Sequence, residues 1–180
     1  MLIICVIIQK HIEKKIQKDY FFIEGKIKLD SNYFINKIKE GVGIDDNQTN
    51  KTFVRGQMTS WNYFNNDEKF IKVIHKFMDF VDHEINPSSY YLQDAWGYSL
   101  DSGGETRFHD HMPNLWSGAI YFNKHKQTLD FTDIDRKIVP EIGKFVLFSS
   151  FLRHGSLKHR ETDVKYGISF NMATIPIGGI

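Results

Sequence analysis

Residues 107–122 read "RFHDHMPNLWSGAIYF": two histidines flanking an aspartate, a proline-containing turn, and then a run that is largely apolar. Side chains on a β-strand alternate between faces, so residues i and i+2 point the same way. His109 and His111 would therefore share one face, with Asp110 on the other. Metal ligands must converge at about 2 Å from the ion. Such a strand offers His109 with His111 and leaves Asp110 as a structural group, unless a β-bulge turns it inward. A third ligand has to come from elsewhere. His154 directly follows "GKFVLFSSFLR" (143–153), where a later strand can bring it opposite the first pair. Three imidazoles with open positions suit a divalent first-row metal such as iron. H-x-H also arises on strands by chance, and spacing alone does not decide between the two readings.

The surroundings of that stretch set the fold class. From residue 89 onward, "YYLQDAWGYSL", "ETRFHDH", "LWSGAIYFN", "TLDFTDI", "GKFVLFSS", "LRHGSLK" and "VKYGISFNMATI" are short β-prone runs separated by Gly, Asn, Asp and Pro. That many short strands in succession predict a β-sandwich or barrel. The first part of the chain is mixed. "FFIEGKIKL" reads as a strand, and Asp30 or Ser31 caps a helix through "YFINKIKE" that ends at Gly41. A second helix follows "SWNYF", with Asn65 as its cap and Glu68 completing a capping box. Its apolar stripe is Phe70, Val73, Ile74, Phe77, Phe80 and Val81, and His75 lies off that stripe. The expectation is one domain over 1–180: mixed helix and strand support over 1–88, and a jelly-roll core over 89–176.

Composition narrows the class without naming a function. The 180 residues suffice for one well-filled core, and 41% hydrophobic with 25% charged residues is ordinary for a soluble globular domain. A net charge of +1 gives no global pull toward nucleic acid or anionic membrane. The early run "QKHIEKKIQK" reads as a solvated face. Cys5 is the sole cysteine, so no intramolecular disulfide forms and a reducing, cytoplasmic setting is expected. "MLIICVII" is apolar for eight residues only, against about twenty for a membrane span, and reads as an N-terminal strand. "DDNQTNKT" and "NKHKQ" are polar loops expected to face a substrate, and neither carries the basic–aromatic interleaving of nucleic-acid binders.

The segment from about residue 53 to 175 resembles a group of the 2-oxoglutarate- and Fe(II)-dependent dioxygenase superfamily related to the prolyl hydroxylases. The matching pieces, in the family's order, are "GQMTSWNYF", "DAWGYSL", "HDHMPNLWSGAIYF", "GKFVLFSSFLRHGS" and "KYGISFN". His111 stands six residues before Ser117, the spacing of the family's second histidine to its Ser-Gly pair. "LFSSFLRH" likewise ends at His154, as the family's distal histidine follows an apolar strand.

The resemblance implies a mainly β protein with N-terminal helices, its core a double-stranded β-helix (a cupin-like jelly roll) buttressed by those helices. It implies that His109, His111 and His154 hold Fe(II), with 2-oxoglutarate as cosubstrate and O2 as oxidant. The reaction implied is hydroxylation of a substrate C–H bond with release of succinate and CO2. His111 departs from the superfamily's usual carboxylate at that place, which leaves open a three-histidine dioxygenase that needs no cosubstrate. Lys165, ten residues beyond His154, occupies the place of the cation that pairs with the far carboxylate of 2-oxoglutarate, and Tyr121 matches a tyrosine reaching the same carboxylate. The position two beyond the cation often carries a hydroxyl, but here it is Gly167. Arg160 is the alternative anchor. Trp96 and Tyr98 are expected to point inward, Asn171 to end a strand or orient neighbours, and His125 and His159 to lie exposed in loops. The expected partner is a small molecule or a protein side chain, not nucleic acid or membrane. A jelly-roll binding module without chemistry is the remaining alternative.

Overall fold

A computed structural model describes residues 19–43, 53–85 and 90–174 of the protein. The "MLIICVII" run and the "DDNQTNKT" loop lie outside the described residues. In chain order the elements are β1 (Phe22–Lys26), α1 (Ser31–Gly41), β2 (Val54–Arg55), β3 (Gln57–Met58), α2 (Glu68–Ile85) and β4 (Tyr90–Leu100). Then follow β5 (Glu105–His109), β6 (Trp116–Tyr121), β7 (Leu129–Phe131), β8 (Arg136–Ile138), β9 (Lys144–Ser149), β10 (His154–Ser156) and β11 (Lys165–Thr174). The runs read as strands from residue 89 onward are strands, and β2, β3 and β8 are short additions that two- or three-residue pairings create.

The strands form two antiparallel sheets, one of six strands in the order β1-β9-β6-β11-β4-β3 and one of five in the order β2-β5-β10-β7-β8. This is a jelly-roll core with helices on one side. Alternation along the central strands divides the interior in two. Ile120 of β6 and Ile168, Phe170 and Met172 of β11 pack with Phe34, Ile38, Phe70, Ile74 and Phe77 of the helices. Ala119 and Tyr121, from the same strand β6, face the other sheet together with Trp96, Tyr98, Val146, Phe148 and Phe131. Each fully buried large apolar side chain contributes roughly 1.5–3 kcal/mol. The cluster beneath the helices is therefore apolar, and the cavity lined by histidines and lysine lies between the sheets.

The helix ends show which local signals the chain uses. Asp30 caps α1, its carboxylate accepting the Tyr33 amide at 3.1 Å, as read from the sequence. The cap of α2 is Asp67 rather than Asn65: the Phe70 amide donates to Asp67 Oδ1 at 2.9 Å. Asn65 is occupied elsewhere, its side-chain amide donating to the Gln93 carbonyl at 2.9 Å beside β4. Asp67 also receives the Tyr33 hydroxyl at 2.6 Å, so one carboxylate starts the second helix and ties it to the first. No helix among the described residues is long and apolar enough to cross a membrane.

Candidate metal and cosubstrate site

Strand pairing sets the first two histidines face to face. β5 and β10 are antiparallel neighbours with His109 directly opposite His154, and their ring centroids are 4.7 Å apart. His111 arrives by a different route from the one strand alternation predicts. β5 ends at His109, and His111 sits in the following turn, its amide donating to the Ser150 carbonyl at 2.8 Å. Its own carbonyl accepts the Asn114 amide at 3.0 Å and the Asn114 side chain at 2.9 Å. The His111 ring lies 4.8 Å from His109 and 5.0 Å from His154. One ligand nitrogen from each of the three lies within 4.8 Å of the others. Asp110 is exposed and accepts the Met112 amide at 3.1 Å, outside this group.

Hydrogen bonds fix which nitrogens are free. His109 Nδ1 meets the Arg107 carbonyl at 2.7 Å, and His154 Nδ1 meets the Leu152 carbonyl at 2.9 Å. A carbonyl only accepts, so both Nδ1 atoms carry the proton and both Nε2 atoms keep their lone pairs. Burial pushes the His154 pKa down to about 4, with the charge of His109 adding to the effect. For His111, burial and then the two neighbouring imidazoles push it to about 2, and burial lowers His109 as well. Three neutral rings with unprotonated nitrogens turned together are a donor set that fits a divalent first-row cation.

The same cavity ends, on its other side, at a buried amine. Its walls include His109, His111, His154, Trp96, Ser156 and Lys165. Lys165 begins β11, is 1% exposed, and donates to Ser156 Oγ at 3.3 Å. Burial pushes its pKa down to about 7, and Asp130 only partly offsets this. Tyr98 and Tyr121 lie fully inside, their phenols interacting, and burial pushes both phenol pKa values up. A β-carbon on Gly167 would come within 2.5 Å of the Tyr98 hydroxyl. Glycine at 167 thus admits the Tyr98 ring, and a hydroxyl reaches that spot from β4 instead of β11. Arg160 is exposed and is not part of the cavity wall.

Two expectations fail here for the same reason. His125 and His159 are buried, not exposed, and their rings meet edge to face at 4.7 Å. The "NKHKQ" loop is tied to main chain: Asn123 binds the Val164 carbonyl at 2.8 Å and the Tyr166 amide at 2.9 Å, and Gln127 binds the Gly104 and Leu157 carbonyls. A polar composition suggested solvent, but these side chains serve as hydrogen-bond partners for irregular backbone that strands cannot satisfy. Sequence reading missed Ser156, although it stands two residues after His154 on the same short strand, and it missed Ser117 and Asp94, the two neighbours that Asn171 links by hydrogen bonds.

The fold is shared with solved structures of prolyl hydroxylases and other 2-oxoglutarate oxygenases. Among solved structures, the viral collagen prolyl hydroxylase of Paramecium bursaria Chlorella virus-1, in its 2-oxoglutarate complex, matches with a TM-score of 0.65 at 18% identity, covering 88% of this chain and 98% of that one. The Pseudomonas putida prolyl-4-hydroxylase matches with a TM-score of 0.63 at 10% identity over 86% and 92% of the two chains. HygX from Streptomyces hygroscopicus, with nickel, 2-oxoglutarate and hygromycin B bound, matches with a TM-score of 0.66 at 9% identity over 93% and 88%. No family model and no curated protein sequence matches the chain.

Proposed function

We propose that the protein is an Fe(II)- and 2-oxoglutarate-dependent oxygenase that hydroxylates a substrate with release of succinate and CO2. One observation carries this reading: a single cavity holds three neutral, convergent imidazoles and a buried lysine whose amine donates to a serine hydroxyl. In this reading His109, His111 and His154 hold the metal, and Lys165 with Ser156 receives the far carboxylate of 2-oxoglutarate. Tyr121 and Tyr98 flank that carboxylate with their phenols. Iron with its keto acid supplies the activation of O2 needed to oxidise a C–H bond. The protein's own residues orient the keto acid, hold the donor nitrogens unprotonated, and shield the interior from water with Phe131, Phe148 and Trp96.

The histidine set is uncharged, so a divalent ion there keeps its full positive charge, which favours an anionic chelator as co-ligand. A three-histidine dioxygenase without a cosubstrate would share the metal end of the cavity. It gives Lys165 no task, and an unpaired buried ammonium is costly to keep. The deciding experiment is succinate release from 2-oxoglutarate in the absence of substrate, measured with and without added Fe(II). Release that depends on both, and that Lys165→Ala removes, is the expected result. Metal binding without succinate release would favour the cosubstrate-free enzyme, and no metal binding would favour a jelly-roll binding module. We infer further that the substrate is a small molecule or a protein side chain, in line with the enclosed cavity and the absence of a basic surface code.

A further inference from the structure

Just outside the lining of the histidine cavity, β4 carries a carboxylate that meets no cation among the described residues. Asp94 precedes Trp96 by two residues on β4 and so shares its face. It stands in one cross-sheet row with Asn171, Ser117 and Phe148, and Phe148 rests edge-on against His154 at 4.7 Å. Ser117 Oγ donates to Asn171 Oδ1 at 2.7 Å, and Asn171 Nδ2 donates to Asp94 Oδ1 at 2.8 Å. Two buried side chains are thus committed to aiming one half-buried carboxylate. Among the described residues Asp94 meets no lysine, arginine or histidine, and burial pushes its pKa up. Beside it, the Ala95 amide donates to the Trp61 carbonyl at 2.9 Å. Trp61 is 40% exposed, and its ring lies 4.6 Å from that of Trp96, two residues along β4 from Asp94. The exposed Asp110 and Asp133 both lie close enough to act on the charge of His154. The exposed Arg107 and Arg153 line a separate groove with Phe108 and Leu157.

We propose that the primary substrate carries a positively charged nitrogen, an amine or guanidinium, that docks on Asp94 against Trp61 while its oxidisable carbon lies toward the three histidines. This rests on the oxygenase reading and adds the substrate class to it. A half-buried carboxylate gains most from a partner that replaces its lost water with a charge-assisted hydrogen bond, and an aromatic face adds a cation–π contact. Residues 94 and 96 are separated by about 7 Å along a strand, and the Trp96 ring is 6.0 Å from His111. Cation and reacting carbon are then on the order of 10 Å apart, so the substrate extends beyond one lysine side chain, and the probes below report its charged end.

The test uses the full chain with Fe(II) and 2-oxoglutarate under anaerobic conditions. Cadaverine, agmatine and Nα-acetyl-lysine amide are titrated against pentane-1,5-diol and Nα-acetyl-norleucine amide, followed by calorimetry and tryptophan fluorescence. At least one cation should bind ten-fold or more tightly than its neutral counterpart. Asp94→Asn should erase that preference while still melting cooperatively, and Trp61→Ala should weaken the cation several-fold. Equal binding of neutral and charged probes, a preference that survives Asp94→Asn, or no binding of any cation overturns the proposal. Should Asp94→Asn fail to fold, the wild-type comparison and Trp61→Ala still decide. Succinate release without cation preference sinks the docking alone, whereas cation binding without succinate release sinks the oxygenase reading alone.

Discussion

The described residues hold two groups of histidines packed ring against ring, and they look alike until their hydrogen bonds are traced. In the first, His109, His111 and His154 lie with ring centroids 4.7 to 5.0 Å apart. In the second, His125 and His159 meet at 4.7 Å. His109 and His154 spend their Nδ1–H groups on carbonyls and keep Nε2 free. His125 spends both nitrogens: Nδ1 accepts the Gln127 amide at 3.0 Å, and Nε2 meets the Asp163 carbonyl at 3.0 Å. The Asp101 main chain approaches His159 without ordinary hydrogen-bond geometry, so among the described residues neither of its nitrogens has a partner. Ring-to-ring proximity is thus common to both groups. Only the direction of unspent lone pairs separates a candidate metal-binding constellation from a packing element.

Substitution in each group should break that comparison if it is wrong. His154→Ala is expected to lower metal affinity and iron-dependent succinate formation by at least about 100-fold, since even groups that only orient ligands cost 10–100-fold. His125→Ala should leave metal affinity unchanged and instead cost about 2–4 kcal/mol in denaturant unfolding, from a lost cavity-filling ring and two orphaned main-chain groups. Loss of metal binding in the second variant would refute the lone-pair argument.

The next effect in size belongs to the deep end of the cavity. Lys165→Met should weaken 2-oxoglutarate binding by about 2–4 kcal/mol, or roughly 30- to 1,000-fold, with metal affinity retained. The same change should stabilise the ligand-free protein, because it removes an ammonium that burial penalises. Calorimetric titration and urea unfolding of one protein preparation check both signs together.

Proton linkage sharpens this further. The Lys165 pKa falls from 10.5 to about 7 on folding. Between those values the unfolded chain holds a proton that the folded one lacks, so this group makes ligand-free stability rise with pH from about 7 toward 10.5 and leaves it flat below. The cosubstrate's carboxylate favours the ammonium. Its affinity should therefore be level below pH 7 and fall by up to about ten-fold per pH unit above it. Lys165→Met should flatten both profiles. The smallest expected effect is at His159, where Phe fills similar space and no hydrogen bond is lost. Its stability change should stay within about 1 kcal/mol by thermal or urea unfolding.

How much of this was legible from the sequence varies by residue. The β11 run is legible throughout, because Ile168, Phe170 and Met172 alternate with Lys165, Gly167, Ser169 and Asn171, and a strand has only two faces. His111 reaches the expected neighbours by an unexpected path, since alternation cannot foresee where pairing stops. Asn65 and Asp67 are equally good caps on paper, and the choice between them was made by Gln93 and Tyr33, distant in sequence. Gly167 reads as a missing hydroxyl until Tyr98 is seen to occupy its space. His125 and His159 read as exposed because local polarity says nothing about which backbone atoms will need partners.

The pattern of apolar alternation, turn residues and helical stripe determined that this chain forms an antiparallel β core covered by helices on one side. Those are properties of neighbours along the chain, and short-range geometry fixes them. The convergence of three lone pairs, the burial of one amine at the opposite end of the same cavity, and the uncompensated carboxylate on β4 were decided only by tertiary structure. Each depends on which strands become neighbours, and strand pairing joins residues whose separation along the chain carries no local signal.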